Sequence, residues 1–374
     1  MDAVQTAVEH RGIYQQHGGN IADLRARLCL TQTDFLDFSV NVNPLGLPAT
    51  VEEYIRDARP DPSVYPDPQA RALVRAAARR HRIAEDCIIP GVGAAELLYW
   101  LIAYLKPARV AVLEPAFGDY LRAAEANGCE LYSLALKEVN DFTVNWQALE
   151  QAAASSDMLI IGHPNNPTGR LLEKAKLVKF VDNHPELRVV VDEAFIDFAA
   201  GDDRSIVEEA TARRNLISLR SLTKVYSVPN LRLGYLVGEC GQFLGWRKAR
   251  PPWPLGEAQI EVGRLALSES NFLVETKRQV RSLRESLARG LRELSWLRPL
   301  PSDANFLLVK ILDKKMDDQR LLEELAMKGV IIRACRSFTV LGDRYFRVAV
   351  RRENDNRVLL AALRGVGEEH GLGE

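Results

Sequence analysis

The sequence lacks an excess of charge of either sign: 49 Lys and Arg stand against 50 Asp and Glu, a formal net charge of -1. No surface-wide field therefore draws the chain to nucleic acid or to an anionic membrane. It also lacks any uninterrupted apolar run of the roughly 18 residues that a membrane helix needs. Residues 1–16 carry Asp2, Glu9, His10 and Arg11 without an apolar core, so they do not read as a secretory signal. Cysteine is scarce, and Cys29, Cys87, Cys129, Cys240 and Cys335 lie singly with no CxxC spacing. The expectation is five separate, buried, reduced thiols and a cytoplasmic location. Six histidines form no HxxxH or HExxH pair, so no metal site is expected.

What is present is ordinary globular material. At 47% hydrophobic and 26% charged, the chain has enough apolar residues for a full core and too many for disorder. Its 374 residues, at roughly 150 per domain, suggest two domains. Helical patterns cover 68–82, 94–105 and 117–127. Short apolar runs at 109–113, 130–136, 157–161, 187–192, 215–219 and 231–237 read as strands. Apolar runs of five or six separated by helix-length segments describe a mainly parallel sheet buried on both faces. The fold class is α/β: a three-layer α/β/α large domain plus a smaller α+β domain. The expected division is an N-terminal segment over 1–47, a large domain over 48–254 and a small domain over 255–374. The Pro-rich PPWP at 251–254 marks the second boundary. The first segment is expected to pack on the small domain or on a partner subunit. Beyond the PPWP lie a long helical stretch over 257–293, broken near 268–271, strands at 305–310, 330–333 and 345–350, and helices at 317–328 and from 353.

Four clusters carry chemistry. GVGAAE at 91–96 places glycines between a strand and a helix, where backbone N–H groups can approach a phosphate. PNNPTG at 164–169, DEAF at 192–195 and SLTK at 221–224 each follow an apolar strand. In an open parallel sheet that end of the strand is where ligands bind. A carboxylate at Asp192, buried there, needs a cationic partner. Lys224 in a pocket would have a depressed pKa and could act as an amine nucleophile. Ser221, Thr223 and Arg232 would offer donors to a phosphate.

Together and in this order, PNNPTG, DEAF, SLTK and RLGY resemble the fold-type-I, aspartate-aminotransferase-like pyridoxal-phosphate enzymes, from about residue 17 onward. The resemblance implies pyridoxal 5'-phosphate held covalently by Lys224, with Asp192 on the ring nitrogen and Asn166 on the ring hydroxyl and beside the substrate. It implies Gly93, Ala94, Ala95, Ser221, Thr223 and Arg232 around the phosphate, and Phe117 stacked on the ring. Tyr65 in VYPDP would reach the neighbouring subunit's cofactor phosphate, which implies a homodimer.

Within that superfamily the sequence looks most like the threonine-phosphate decarboxylases of cobalamin biosynthesis, with the histidinol-phosphate aminotransferases beside them. HGGN at 17–20 and DFSVNVNPLG at 37–46 carry the likeness. So does Phe195, where the aminotransferases usually have tyrosine. His17, Gly18, Asn41 and Arg333 would then hold a substrate phosphate, and Arg347 the α-carboxylate. Strand alternation puts Arg351 on the same face as Arg347, and the motif favours Arg347. Two departures stand out: Ala95 offers no hydroxyl, and PLGEAQ at 254–259 differs from the usual stretch. O-phosphoserine therefore remains an alternative substrate, an aminotransferase an alternative activity, and a non-catalytic effector-binding protein of this fold a distant one.

Overall fold

The computed structural model describes residues 18, 19, 21–30, 34–201 and 203–373. A short β1 (Leu36–Asp37) precedes the main sheet of β2 (Ile88–Gly91), β3 (Arg109–Glu114), β4 (Glu130–Ala135), β5 (Met158–Gly162), β6 (Arg188–Asp192), β7 (Leu216–Ser221) and β8 (Gly234–Val237). Their order is β2-β8-β7-β6-β5-β3-β4. All neighbours pair in parallel except β8, which is antiparallel to both β2 and β7. Alternation along the strands serves two cores. Leu159, Ile161, Val189 and Val191 pack on one face, and Met158, Ile160 and Val190 on the other. With helices covering both faces, β5 and β6 have no polar side, which is why they read as continuous apolar runs.

The C-terminal part adds a second sheet. It contains β9 (Leu297–Pro299), β10 (Phe306–Ile311), β12 (Arg333–Ala334) and β13 (Tyr345–Ala349), all antiparallel, after β11 (Val330–Ile331) has paired in parallel with β1. The N-terminal segment thus joins the small sheet's side of the molecule, with Phe38 inside its core. Leu308 and Tyr345 reach from the small sheet into a core cluster shared with β5 and β6.

Several boundaries moved. The helix expected over 68–82 is Arg71–His81, because Asp67 accepts from the Arg71 N–H and Ala70 turns at φ 48°. The strand expected from 231 begins at Gly234, after a turn over Pro229–Leu231 and Arg232 at φ 48°. Helices Trp146–Ala153 and Lys174–Asn183 were not anticipated. The first is capped by Asn145, whose side chain accepts from the Gln147 and Ala148 N–H groups. The long stretch breaks at Glu269, between Glu257–Ser268 and Ser270–Arg292. Helix Glu257–Ser268 packs on Arg71–His81, with Gly263 so close to Leu73 that a Cβ would lie 2.5 Å from its Cδ1. The first helix after the PPWP therefore shares a core with the large domain's helices.

The expectation of five separate buried thiols is corrected. Cys87 and Cys240 form a disulfide, with Cα atoms 4.3 Å apart. Antiparallel pairing of β2 with β8 brings them together across 153 residues, a contact that spacing alone does not reveal. Cys29 is exposed, Cys129 half-buried and Cys335 buried.

Behind the carboxyl ends of β6 and β7 lies an ionic network. Arg220, 3% exposed, meets Asp197 at 2.6 Å and Glu193 at 3.4 Å, and Arg80 meets Asp197 at 3.0 Å. Glu193 also accepts from Ser218, Ser205 and the Ile206 N–H. Burial alone would raise the Asp197 carboxyl, but the Arg220 and Arg80 guanidiniums outweigh it and hold it at about 2. Its stabilisation is therefore present above the ordinary carboxyl range and lost as pH falls toward 2. Removing one member leaves a buried charge unpaired, at a cost of about 3–5 kcal/mol. Arg220→Met should lower the urea midpoint accordingly and begin acid unfolding at a higher pH than wild type.

Candidate active site

At their carboxyl ends β5, β6 and β7 are in register, Gly162 opposite Asp192 and Asp192 opposite Leu219. The loops that follow must therefore meet at one edge of the sheet. They enclose a cavity of about 270 Å³. Of the residues singled out in the sequence, Gly18, Asn41, Ala94, Ala95, Phe117, Asn166, Asp192, Ser221, Thr223, Lys224, Arg232, Arg333 and Arg347 all line it. Gly93 stands one residue behind. At φ 85°, a Cβ there would come within 2.9 Å of Arg232 Nη2. Tyr65 does not line the cavity; it is 78% exposed and lies 4.8 Å, ring to ring, from Trp253. His17 lies outside the described residues.

One end of the cavity is built for an anion. Helix Gly93–Leu105 begins there, and Ser221 and Thr223 hydroxyls sit 2.8 Å apart beside it. Arg232 completes the set, donating to the Pro229 carbonyl at 3.2 Å. Ala95 contributes no side-chain donor.

In the middle stand Lys224 and Asp192. Burial, and then the Arg232 and Arg347 guanidiniums, push the Lys224 amine down to about 8. Asp192 accepts from the Tyr120 hydroxyl at 2.7 Å and from the Ala194 N–H at 2.9 Å. Desolvation nevertheless holds its carboxyl above the usual range. The turn carrying Lys224 is tied to the N-terminal segment: the Asn43 N–H donates to the Lys224 carbonyl, and Asn43 Nδ2 to the Val225 carbonyl and to Thr276.

The other end belongs to the small sheet. Arg347 on β13 donates to Asn166 Oδ1 at 2.5 Å and to the Ser39 carbonyl at 2.9 Å. With its amide oxygen turned inward, Asn41 accepts from the same guanidinium at 3.0 and 3.3 Å. Burial lowers Arg347 to about 10, and its Nε is buried with no partner among the described residues. Arg333 on β12 faces Arg347 in register and donates to the Ala334 carbonyl and to Ser337. Arg351 is directed elsewhere, to Asp355 and the Asp37 carbonyl.

Sequence reasoning missed Tyr120, Ser39, Val40 and Phe338, which also line the cavity. Tyr120 had a signal, since it follows Phe117 by three residues and one helical turn brings such positions together. The rings meet edge to face at 5.8 Å. No spacing pointed to Phe338. Residues 254–259 do not line the cavity of this chain; Gln259 instead accepts from the Gly256 N–H and donates to the Leu231 carbonyl.

The family model for aminotransferase class I and II matches residues 33–363. A threonine-phosphate decarboxylase of Salmonella typhimurium is 34% identical over 353 residues, 94% of this chain and 96% of that one. A histidinol-phosphate aminotransferase of Thermococcus gammatolerans is 28% identical over 335 residues, 89% of this chain and 92% of its own. The solved histidinol-phosphate aminotransferase of Clostridium acetobutylicum superposes with a TM-score of 0.83 at 26% identity, covering 89% of this chain and 99% of that one.

With its amine near 8, about a tenth of Lys224 is neutral at pH 7, several hundred times the fraction of an ordinary lysine. Labelling of the apoprotein by acetic anhydride, followed by peptide mapping, should show Lys224 reacting with a midpoint near pH 8 while surface lysines lag. Arg232→Met should move that midpoint upward, because it removes a neighbouring positive charge. A wild-type midpoint matching the surface lysines would refute the assigned electrostatics.

Proposed function

The chain belongs to the aminotransferase class I and II family, and from that premise we propose that it is a cytoplasmic, pyridoxal-phosphate-dependent decarboxylase. Its substrate is O-phospho-L-threonine and its product (R)-1-amino-2-propanol O-2-phosphate, a reaction of cobalamin biosynthesis. The similarity to the Salmonella decarboxylase supports this reading. The observation that carries it is the pair Arg333 and Arg347, opposite one another in register and lining the same cavity as the Ser221, Thr223 and Arg232 anion site. A substrate with two anionic groups needs two such positions in addition to the one that takes the cofactor's phosphate.

The residues present fit the cofactor. Gly93 leaves room where a Cβ would crowd Arg232, a helix N-terminus and two hydroxyls await a phosphate, and a buried carboxylate and a buried amine face one space. Lys224 would hold it, Asp192 would meet its ring nitrogen, Asn166 its ring hydroxyl, and Phe117 its ring face. When bound, pyridoxal phosphate supplies an electron sink for the bond broken at Cα. The chain's own residues choose that bond. Arg347 orients the α-carboxylate, and Arg333 with Gly18, Asn41 and His17 holds the substrate phosphate, so the amino acid is fixed at both ends. Lys224 Nζ then delivers a proton to Cα. Phe195, packed edge to face on Phe306 at 5.0 Å, offers no hydroxyl to the ring oxygen.

Loss of a methyl group is worth only about 1–3 kcal/mol of discrimination, so O-phosphoserine should be a weaker substrate rather than an excluded one. The aminotransferase reading is kept by the similarity to the Thermococcus enzyme. In a homodimer, Tyr65 would extend from its exposed position by Trp253 toward the partner's cofactor phosphate.

Incubated with pyridoxal phosphate and O-phosphothreonine, the protein should release carbon dioxide without forming a keto acid. Arg347→Ala should lose most of that activity, a penalty of about 2–5 kcal/mol for a buried charge pair. Faster turnover of histidinol phosphate with 2-oxoglutarate would sink the decarboxylase reading. Tyr65→Phe should bind pyridoxal phosphate more weakly while staying folded, and mixing it with Lys224→Ala should regenerate some wild-type-like sites in heterodimers. No recovery after subunit exchange would mean that each site is built from one chain.

A further inference from the structure

Tyr120 is 2% exposed and lies in the first turn of helix Asp119–Ala126, where no residue of the four sequence clusters would have placed it. Its hydroxyl donates to Asp192 Oδ2 at 2.7 Å, while Asp192 Oδ1 accepts from the Ala194 N–H at 2.9 Å. These are two directed bonds to one carboxylate that is itself only 8% exposed. They leave the remaining lone pairs facing the cavity that both side chains line.

We propose that Tyr120 is a positioning residue that keeps Asp192 ionised and aimed into the cavity, and so sets how tightly the cofactor's ring nitrogen is held. This rests on the reading of pyridoxal phosphate as the cofactor.

A carboxylate so deeply buried is driven toward its neutral acid. Desolvation raises the Asp192 carboxyl, and the Glu193 carboxylate adds to it. Against this act the Tyr120 hydroxyl, the Ala194 N–H and the Lys224 ammonium. The hydroxyl bond is the larger of the two hydrogen-bonding contributions, and it is dependable as a donor. Burial, then the Asp192 and Asp119 charges, push the Tyr120 phenol well above its ordinary value, so it stays protonated at any working pH. Lys224 cannot replace it, since burial, and then Arg232 and Arg347, lower the amine and its charge fades as pH rises. Glu193 is engaged by Ser218, Ser205 and Arg220 on the far side and cannot turn to donate.

The test is cofactor affinity, with Tyr120→Phe as an isosteric loss of one donor. Apoprotein should bind pyridoxal phosphate about tenfold or more weakly, the usual consequence of losing a hydrogen bond to a charged group. The loss should deepen on the acid side. Without the donor the Asp192 carboxyl titrates at a higher pH, and its charge disappears sooner as pH falls. A merely structural tyrosine would not behave this way, and the double-mutant cycle separates the two cases. In an Asp192→Asn background, Tyr120→Phe should change affinity less than twofold, because no carboxylate charge remains to preserve. If Tyr120→Phe binds within twofold of wild type across the pH range, or if its tenfold penalty persists beside Asn at 192, the inference is wrong. If wild-type apoprotein takes up no pyridoxal phosphate at all, the cofactor reading falls first and this one with it.

Discussion

The hydrogen-bonded register of β5, β6 and β7 is the constraint on which the site depends. Because Gly162, Asp192 and Leu219 stand level across parallel strands, three loops that are far apart in sequence emerge on the same line. A slip of one residue in β6 would turn Asp192 to the opposite face and bring Glu193 forward. The apolar interior of β6 prevents that slip, since Val189 and Val191 belong to one core and Val190 to the other. Burial of three valines thereby fixes the direction of a carboxylate.

The adjacent acids of DEAF divide the work. Asp192 faces the cavity, whereas Glu193 faces away, into the cluster with Arg220, Ser205 and Ser218. Strand geometry requires neighbours to point to opposite faces, so one acid is available to a ligand and the next must be satisfied by protein. Arg220 alternates in the same way with Ser221, one buried in the ionic cluster and the other lining the cavity. The cluster makes the back of the site rigid, and the front is left with charges that are incompletely matched.

Much of this was legible before any coordinates. Apolar strand cores are written as unbroken runs, and β3, β5, β6 and β10 fell within about a residue of the expected bounds. The four motifs resided at strand ends because that is where a parallel sheet exposes its backbone. What could not be read depended on pairing between distant segments. The opposition of Arg333 and Arg347 required knowing that β12 and β13 are antiparallel neighbours. The approach of Ser39 and Asn41 required β1 to lie on β11 and Asn305 to bind the Asn41 carbonyl. Helices Trp146–Ala153 and Lys174–Asn183 escaped because they are short, eight and ten residues, and so show little more than two turns of periodicity. The Asn145 cap was the one local signal for the first.

The Cys87–Cys240 bond has a topological consequence. It closes a loop whose ends lie 153 residues apart, and that loop contains Gly93, Phe117, Asn166, Asp192, Lys224 and Arg232. Every group assigned to the cofactor within one subunit is therefore inside a covalent ring, while Asn41, Arg333 and Arg347 are outside it. On the chain-entropy model, closing so long a loop disfavours the unfolded ensemble by about 5 kcal/mol. A single peptide cleavage anywhere between the two cysteines would leave one connected molecule, with the phosphate-binding helix still fastened at its own end to the strand beside it. A nick on the substrate side has no such safeguard, and would separate the chain into two pieces.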